Sequence, residues 1–527
     1  MIQTRNLGAL FDPQHCGDRT ALIDCRHWDS PLELSHRDLD RAASACATAL
    51  RDLGLRPGDA VGLLSANRSE YLTAYMGILR AGLIAVPINH KFSNQILDFI
   101  VADAEIKLVL CDAANRERLA GRLPCLDFDA VDDGGYPALL ERGANAVQLP
   151  TYDPDDQHFA MVLYTSGSTG RPKGVPLTHA GHLWALRART TAGYPFHQHR
   201  LLVAAPLYHM NALCVSLVAI AGAASEVLLP EFSVERYLAA VERFRCTWLT
   251  SVPTMLAMCL QDQERLARTD LSSVSIVRMG SAPVSPKLFS QVRQTFPKAS
   301  IMNGYGTTET GPVVFGARDA RAPPDGSPGW PAPDVQVKLV DEHGEEADQG
   351  VLWQRTPATM PFYLNLPEKT REVLTEDGWY ISGDIFRRDA EGAYHFVGRD
   401  DDMFVCGGEN IHPGEVESLL VSHPDVAQSC VVPVADEIKG AKPVAFVVPV
   451  PGAQPDEQTL KRYALDNAPA YRHPRRVFVL AELPLAGPGK VDRGALIQRA
   501  AALVESTGVE PTGVESPGVE SPGVEST

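Results

Sequence analysis

Basic charge is scarce. The 527 residues hold 48 Lys and Arg against 65 Asp and Glu, a net charge of −17. That balance excludes the broad basic face a nucleic-acid partner requires, while leaving room for a local pocket that takes a small anion. Paired cysteines are missing too. The ten cysteines contain no C-x-x-C and no Cys/His spacing of a metal site, which excludes a zinc module or a disulfide scaffold. The expectation is a reduced, cytoplasmic chain whose cysteines act as small core residues. No long apolar run occurs. The longest, "ALCVSLVAIAGAA" at 212–224, is too short to span a bilayer and reads as a buried helix. The start, "MIQTRNLGALFDPQ", has neither a basic end nor a sustained apolar stretch, so no signal peptide is expected.

The chain is too long for one core. Short apolar runs alternate with amphipathic ones. "AVGLLSAN" (60–67), "IKLVLCD" (106–112), "RLLVAAPL" (200–207), "CTWLTSV" (246–252) and "VSIVRMG" (274–280) read as buried strands. "RSEYLTAYMGILRAG" and "SVERYLAAVERF" (233–244) read as helices. This rhythm predicts an α/β fold of parallel sheets covered by helices. Shorter strands and Gly/Pro turns follow from about residue 325. After 397–417 a strand, helix, strand, strand, helix, strand pattern predicts a separate small domain. Residues 501–527 are expected to form a disordered tail, because the pentads "TGVEP", "TGVES" and "PGVES" hold turn formers and acid but little to bury.

"YTSGSTGRPKGV" (164–175) joins an apolar segment to a helical one. Its glycines let backbone N–H groups approach an oxyanion, Ser166, Ser168 and Thr169 add hydroxyls, and Lys173 adds charge. That suits a polyphosphate. It is not a Walker loop, since no G-x-x-x-x-G-K-[ST] occurs. Taken alone, the stretch reads equally well as a connecting loop. Six further motifs stand in order: "PLYHMNAL" (206–213), "MGSAP" (279–283), "NGYGTTETG" (303–311), "DGWYISGD" (377–384), "GRDDDMFVCGGENIHPGEVE" (398–417) and "PGKVDR" (488–493). Together they resemble the adenylate-forming superfamily of acyl-CoA synthetases, adenylation domains and luciferases, over about residues 10–498. "GGENIHPGEVE" and "PLYH" most resemble the AMP-forming aryl- and acyl-CoA ligases.

The resemblance implies a large domain (1–399) with a distorted β-barrel-like part, a hinge at 400–401 and a small mobile lid (402–500). It implies a reaction in which a carboxylate attacks the α-phosphate of ATP, expels pyrophosphate, and passes its acyl group to the thiol of CoA. Thr165, Ser166, Gly167, Ser168, Thr169, Gly170 and Lys173 would hold the β- and γ-phosphates, and Glu309 a Mg²⁺ ion. Gly280, Ser281, Ala282 and Pro283 would flank adenine, with Asn303, Gly304, Tyr305, Gly306 and Thr307 on its other side and Tyr305 packing on the base. Thr308 would touch the α-phosphate, and Asp384 and Arg399 the ribose. Lys490 would bridge the carboxylate and the α-phosphate, and His209 would gate the carboxylate. Asp401, with Asp400 beside it, is the expected hinge. Gly407 and Gly408 would border the pantetheine arm, and Arg472, Arg475 and Arg476 would either meet CoA phosphates or sit in solvent.

The acyl pocket is expected among Trp184, His209, Met210, Asn211, Val252, Ser281, Thr310 and Pro312. None carries a fixed charge, which predicts a neutral, apolar-bodied acid, aromatic or of medium chain length. Met210–Asn211 stand where amino-acid-activating relatives carry an aspartate, which disfavours that substrate class. A ligase that loads a separate carrier protein is the alternative. A non-catalytic nucleotide binder is disfavoured by the joint presence of Lys490, Glu309 and Asp384. A homodimer is left open.

Overall fold

The computed structural model describes residues 2–12, 16–132, 134–165, 171–190, 194–318, 321–406, 409–436, 439–469, 472–487 and 490–506. The expected alternation builds two large sheets. One has six strands in the order Cys125–Asp127, Ile106–Cys111, Ala60–Leu64, Ile84–Pro87, Phe159–Thr165 and Lys173–Thr178, parallel except for the last hairpin. The other has seven, in the order Ser300–Gly304, Ile276–Gly280, Trp248–Ser251, Arg200–Val203, Ser225–Leu228, Thr20–Asp24 and Leu32–Ser35, again parallel except for its final hairpin.

The sheets share one core, which takes Val61, Leu63 and Met161 from the first and Leu22, Leu201 and Val203 from the second. Helices Ser69–Arg80 and Met210–Ala221 contribute to that core and are buried almost throughout. The apolar run at 212–224 is therefore a core helix, as its length requires. Nine of the ten cysteines are buried and all ten are free. Among the described residues no helix is long and apolar enough to cross a membrane.

Past residue 330 the backbone turns antiparallel, in a four-stranded sheet Gln336–Val340, Gln349–Arg355, Tyr380–Arg388 and Tyr394–Arg399. A five-stranded sheet follows. Glu409–Ile411, Phe404–Cys406, Gly440–Pro449 and Val426–Asp436 run antiparallel, and Arg476–Val479 pairs in parallel with Gly440–Pro449. Helices Pro413–Val421, Glu457–Asn467 and Arg493–Ser506 accompany it. Among the described residues, no apolar core cluster mixes residues up to Phe396 with residues from Phe404 onward.

One boundary moves. Residues 501–506, expected in the tail, belong to helix Arg493–Ser506. Leu496 and Ala500 are fully buried, and Leu503 and Val504 pack on the same cluster. The helical period of apolar residues runs past the expected end, through Leu503 and Val504. The rest of the tail, 507–527, lies outside the described residues.

Candidate active site

Four parallel strands end side by side. Ser251 pairs with Met279, Met279 with Asn303 and Gly280 with Gly304, and Arg200–Val203 lies next to Trp248–Ser251. The segments leaving their C-terminal ends carry Pro206–Met210, Val252, Ser281–Pro283 and Tyr305–Gly311. This is the edge at which open parallel sheets present ligand sites. Ser281 is exposed there with a φ of +68°, an uncommon backbone for serine. Gly306 permits the turn of the third segment, because a Cβ on it would lie 2.7 Å from the Gly311 carbonyl oxygen.

Thr165 and Lys173 face each other in register at the mouth of a hairpin. The hydroxyl of Thr165 is buried without a partner among the described residues. The expected loop residues Ser166, Gly167, Ser168, Thr169 and Gly170 lie outside the described residues. The Lys173 ammonium donates to the Tyr363 hydroxyl at 3.2 Å and sits 4.4 Å from the centre of its ring. Tyr363 in turn donates to Glu309 Oε1 at 2.7 Å. A line Lys173–Tyr363–Glu309 thus joins two expected site residues that are far apart in sequence. Desolvation pulls the Lys173 pKa down, and Glu309 opposes the shift. Tyr363, in "PFYLN", went unnoticed in the sequence because nothing local marks it.

Asp384 and Arg399 are opposite residues on neighbouring antiparallel strands. Asp384 is 6 % exposed. Its Oδ1 accepts from Arg399 Nη1 at 2.9 Å, its Oδ2 accepts from the Tyr305 hydroxyl, and its backbone N–H donates to Ser382 Oγ at 3.0 Å. Burial raises its pKa, and Arg399 works against that. Arg399 also donates through Nε to Asp401 Oδ1 at 2.9 Å, so one guanidinium joins Asp384, the expected ribose ligand, to the expected hinge. The Tyr305 ring, expected to pack on adenine, lies against Phe315 and edge-on to Phe386.

His209 caps helix Met210–Ala221 and is accessible, although it sits deep in the molecule as a cleft-lining side chain does. Desolvation takes its pKa down to about 4, so the ring is neutral near pH 7. Met210 is half-buried beside it, and Thr308 likewise on its own turn. Three expected residues have structural duties. Asn303 donates its amide to the Gly326 carbonyl, Thr310 is fully buried with its hydroxyl on Thr307, and Val252 joins the core cluster behind the second sheet. Trp184 packs with Tyr305 around Val314 and Phe315.

Beside Asn211, an expected acyl-pocket residue, stands one that the sequence did not suggest. Arg278 Nη1 donates to Asn211 Oδ1 at 2.7 Å, so a guanidinium stands in a lining expected to lack fixed charge. An arginine inside the buried strand "VSIVRMG" was the available signal. In the small domain Gly407 and Gly408 lie outside the described residues, and of Lys490 only its backbone is described, in a short strand paired with Leu485–Gly487. Arg472 pairs with Glu415 and Arg476 with Glu457, each at 2.9 Å, while Arg475 bonds His473 at 2.8 Å. The cluster's charge is thus largely met within the protein. The two domains touch where the Lys287 ammonium donates to the carbonyls of His423, Pro424 and Val426 at 3.1, 3.3 and 2.6 Å.

The model of the AMP-binding enzyme family matches residues 12–364, and that of the AMP-binding enzyme C-terminal domain matches 415–490. A feruloyl-CoA synthase from Amycolatopsis sp is 34 % identical over 88 % of this chain and 94 % of its own length. A sulfoacetate–CoA ligase from Cupriavidus necator is 32 % identical over 90 % and 94 %. The crystal structure of ATP-bound MatB from Rhodopseudomonas palustris superimposes with a TM-score of 0.85 at 28 % identity, over 95 % of this chain and all of that one. The chain belongs to the AMP-binding enzyme family, within its group of acyl- and aryl-CoA ligases.

Proposed function

We infer that the protein is an AMP-forming acid–CoA ligase working by two half-reactions at one site. The observation that carries this reading is the line Lys173–Tyr363–Glu309, which brings a cation and a carboxylate together at the mouth of a hydroxyl- and glycine-rich hairpin. That pairing suits a nucleotide triphosphate and its metal. A single carboxylate fits Mg²⁺, which takes most of its oxygens from phosphates and water. Oε1 of Glu309 accepts from Tyr363, and Oε2 has no protein partner among the described residues. Glu309 would hold the ion, which when bound neutralises charge on the phosphates.

In the first half-reaction a substrate carboxylate oxygen attacks the α-phosphate, the bond to the β-phosphate breaks, and pyrophosphate leaves. The chain's work is positioning and charge neutralisation. Lys173 and the loop 165–170 hold the β- and γ-phosphates. Asp384, oriented by Arg399, accepts from ribose hydroxyls. Thr308 donates to the α-phosphate. Lys490 meets the charge that develops between the carboxylate and the α-phosphate. His209, neutral, screens the carboxylate without competing for the lysine. In the second half-reaction the CoA thiol attacks the acyl carbon, and AMP leaves with the bridging oxygen.

The lid turns at Asp401, and the division of the apolar cores between Phe396 and Phe404 supports a hinge there. The relatives leave the acid open, since one is named for feruloyl-CoA and another for sulfoacetate, an aromatic acid and a small acid with a second anionic group. A panel of carboxylic acids scored for AMP release with and without CoA tests the reading. The expectation is acid-dependent AMP release that needs CoA for full turnover. AMP release that ignores the acid, or that a carrier protein supports and CoA does not, would overturn it.

A further inference from the structure

We propose that the acyl pocket ends in an anion-accepting wall built from Arg278 and Asn211, and that the acid activated here carries a second anionic group, a carboxylate or a sulfonate, at its far end. The proposal rests on the acid–CoA ligase reading for where the acid lies.

Arg278 is 8 % exposed on the strand Ile276–Gly280, which is otherwise apolar. Among the described residues its side chain has one polar partner, Asn211 Oδ1, and no carboxylate within ion-pair distance. The other end of that amide, Asn211 Nδ2, is buried with no partner. Thr250, opposite Arg278 on the neighbouring strand and so on the same face, has a buried hydroxyl with no partner either. A second guanidinium, Arg189, donates to the carbonyl of Pro312 at 2.5 Å and also lacks a carboxylate among the described residues. The nearest acid within the sheet is Glu226, bonded to Ser216 at 3.0 Å. It lies three strand spacings from Arg278, roughly 14 Å.

The backbone makes room for this guanidinium. A Cβ on Gly304 would lie 2.5 Å from Arg278 Nη2, 2.8 Å from Cζ and 3.0 Å from Nε. The guanidinium therefore lies against bare backbone at the end of the next strand, one residue before Tyr305. Donors and positive charge converge on this wall with no acceptor charge to meet them. Burial and nearby Arg189 both work against the charge on Arg278. A buried cation without a counter-ion is costly, and a bidentate anion on the substrate completes it. An acid ending in a methyl group or a plain ring leaves the same donors open, which is the situation that separates substrates most sharply.

The test compares matched acids by kcat/KM for AMP release: succinate and 3-sulfopropionate against butyrate, and terephthalate against 4-methylbenzoate. The anionic members are expected to lead by roughly 100-fold or more. Arg278→Met should erase that lead, Arg278→Lys should keep part of it, and KM for ATP should hold steady. Gly304→Ala, whose Cβ displaces the guanidinium, should also shrink the lead and serves if Arg278→Met does not fold. Calorimetric titration of the same acids into protein loaded with AMP reads binding without turnover. If neutral acids lead in the unaltered protein and Arg278→Met leaves the ratio alone, the anion wall is overturned and the ligase reading stands. If no acid yields AMP yet anionic acids bind in an Arg278-dependent way, the ligase reading falls and the wall stands. If no acid yields AMP and none binds, the wall falls as well.

Discussion

The proposed nucleotide side of the site and its proposed acyl side differ in how far the protein satisfies its own polar groups. On the nucleotide side most groups are held by other protein groups, with the Thr165 hydroxyl and Glu309 Oε2 the exceptions among the described residues: Asp384 holds Tyr305 and Arg399, Arg399 holds Asp401, and Tyr363 joins Lys173 to Glu309. On the acyl side the groups are left open. Among the described residues Arg278 has no carboxylate, and Asn211 Nδ2 and Thr250 Oγ1 have no partner. Every turnover brings the same nucleotide, so its groups can be fixed in advance at no later cost. The acid is what distinguishes one such ligase from another, and unsatisfied donors choose it by what they refuse.

The closed side should break hardest. Asp384→Asn keeps the shape but removes the charge that two donors share, and losing one partner of a buried pair costs about 3–5 kcal/mol. KM for ATP is expected to rise and kcat/KM to fall by roughly 100- to 4000-fold, by the usual tenfold per 1.4 kcal/mol. An unchanged kcat/KM for ATP would mean that the network serves folding alone. Tyr363→Phe severs the line between Lys173 and Glu309 and leaves both charges in place. The expected loss is about tenfold, the worth of one hydrogen bond to a charged group. It should show as a higher Mg²⁺ requirement, measured by metal titration.

A subtler comparison concerns His209. Its pKa of about 4 means that the ring loses no proton between pH 5.5 and 8. His209→Gln should lower kcat/KM for the acid yet leave the shape of its pH profile unchanged over that range. Disappearance of an inflection near pH 6.5 in the variant would show that the histidine titrates at its ordinary value. The smallest effect is expected from deleting residues 507–527, with activity and melting temperature unmoved. A deletion that starts at 501 should lower the melting temperature, because it takes Leu503 and Val504 from their cluster.

Much of this was legible in the sequence because the signals were local. Parallel strands announce themselves as short apolar runs, and "AVGLL", "IKLVLC" and "IVRMG" form strands where the pattern predicts them. Glu309 and Asp384 sit inside two of the motifs that carry the resemblance, and the structure places each in a hydrogen-bonded network with another expected residue. What escaped was non-local. Tyr363 matters because a loop 54 residues past Glu309 folds back on it, and no window of sequence contains that contact. Arg278 was visible as a charge in a buried strand, but its meaning depends on Gly304 of the next strand leaving the space. The helix Arg493–Ser506 was cut short for a related reason. The first pentad starts only at Thr507, and Ala500 is buried in a cluster with the distant residues Val432 and Phe446.

In the proposed mechanism the acid itself attacks the α-phosphate and CoA then displaces AMP. Turnover with a carboxylate labelled with oxygen-18 at both oxygens tests it directly. Attack through the carboxylate carries one labelled oxygen into the bridge of the acyl-adenylate, and cleavage by the thiol leaves it on the phosphate. The account predicts one labelled oxygen in each AMP and the other in the acyl-CoA, with one pyrophosphate per thioester. Thioester formed beside unlabelled AMP, or beside ADP and phosphate, would contradict it.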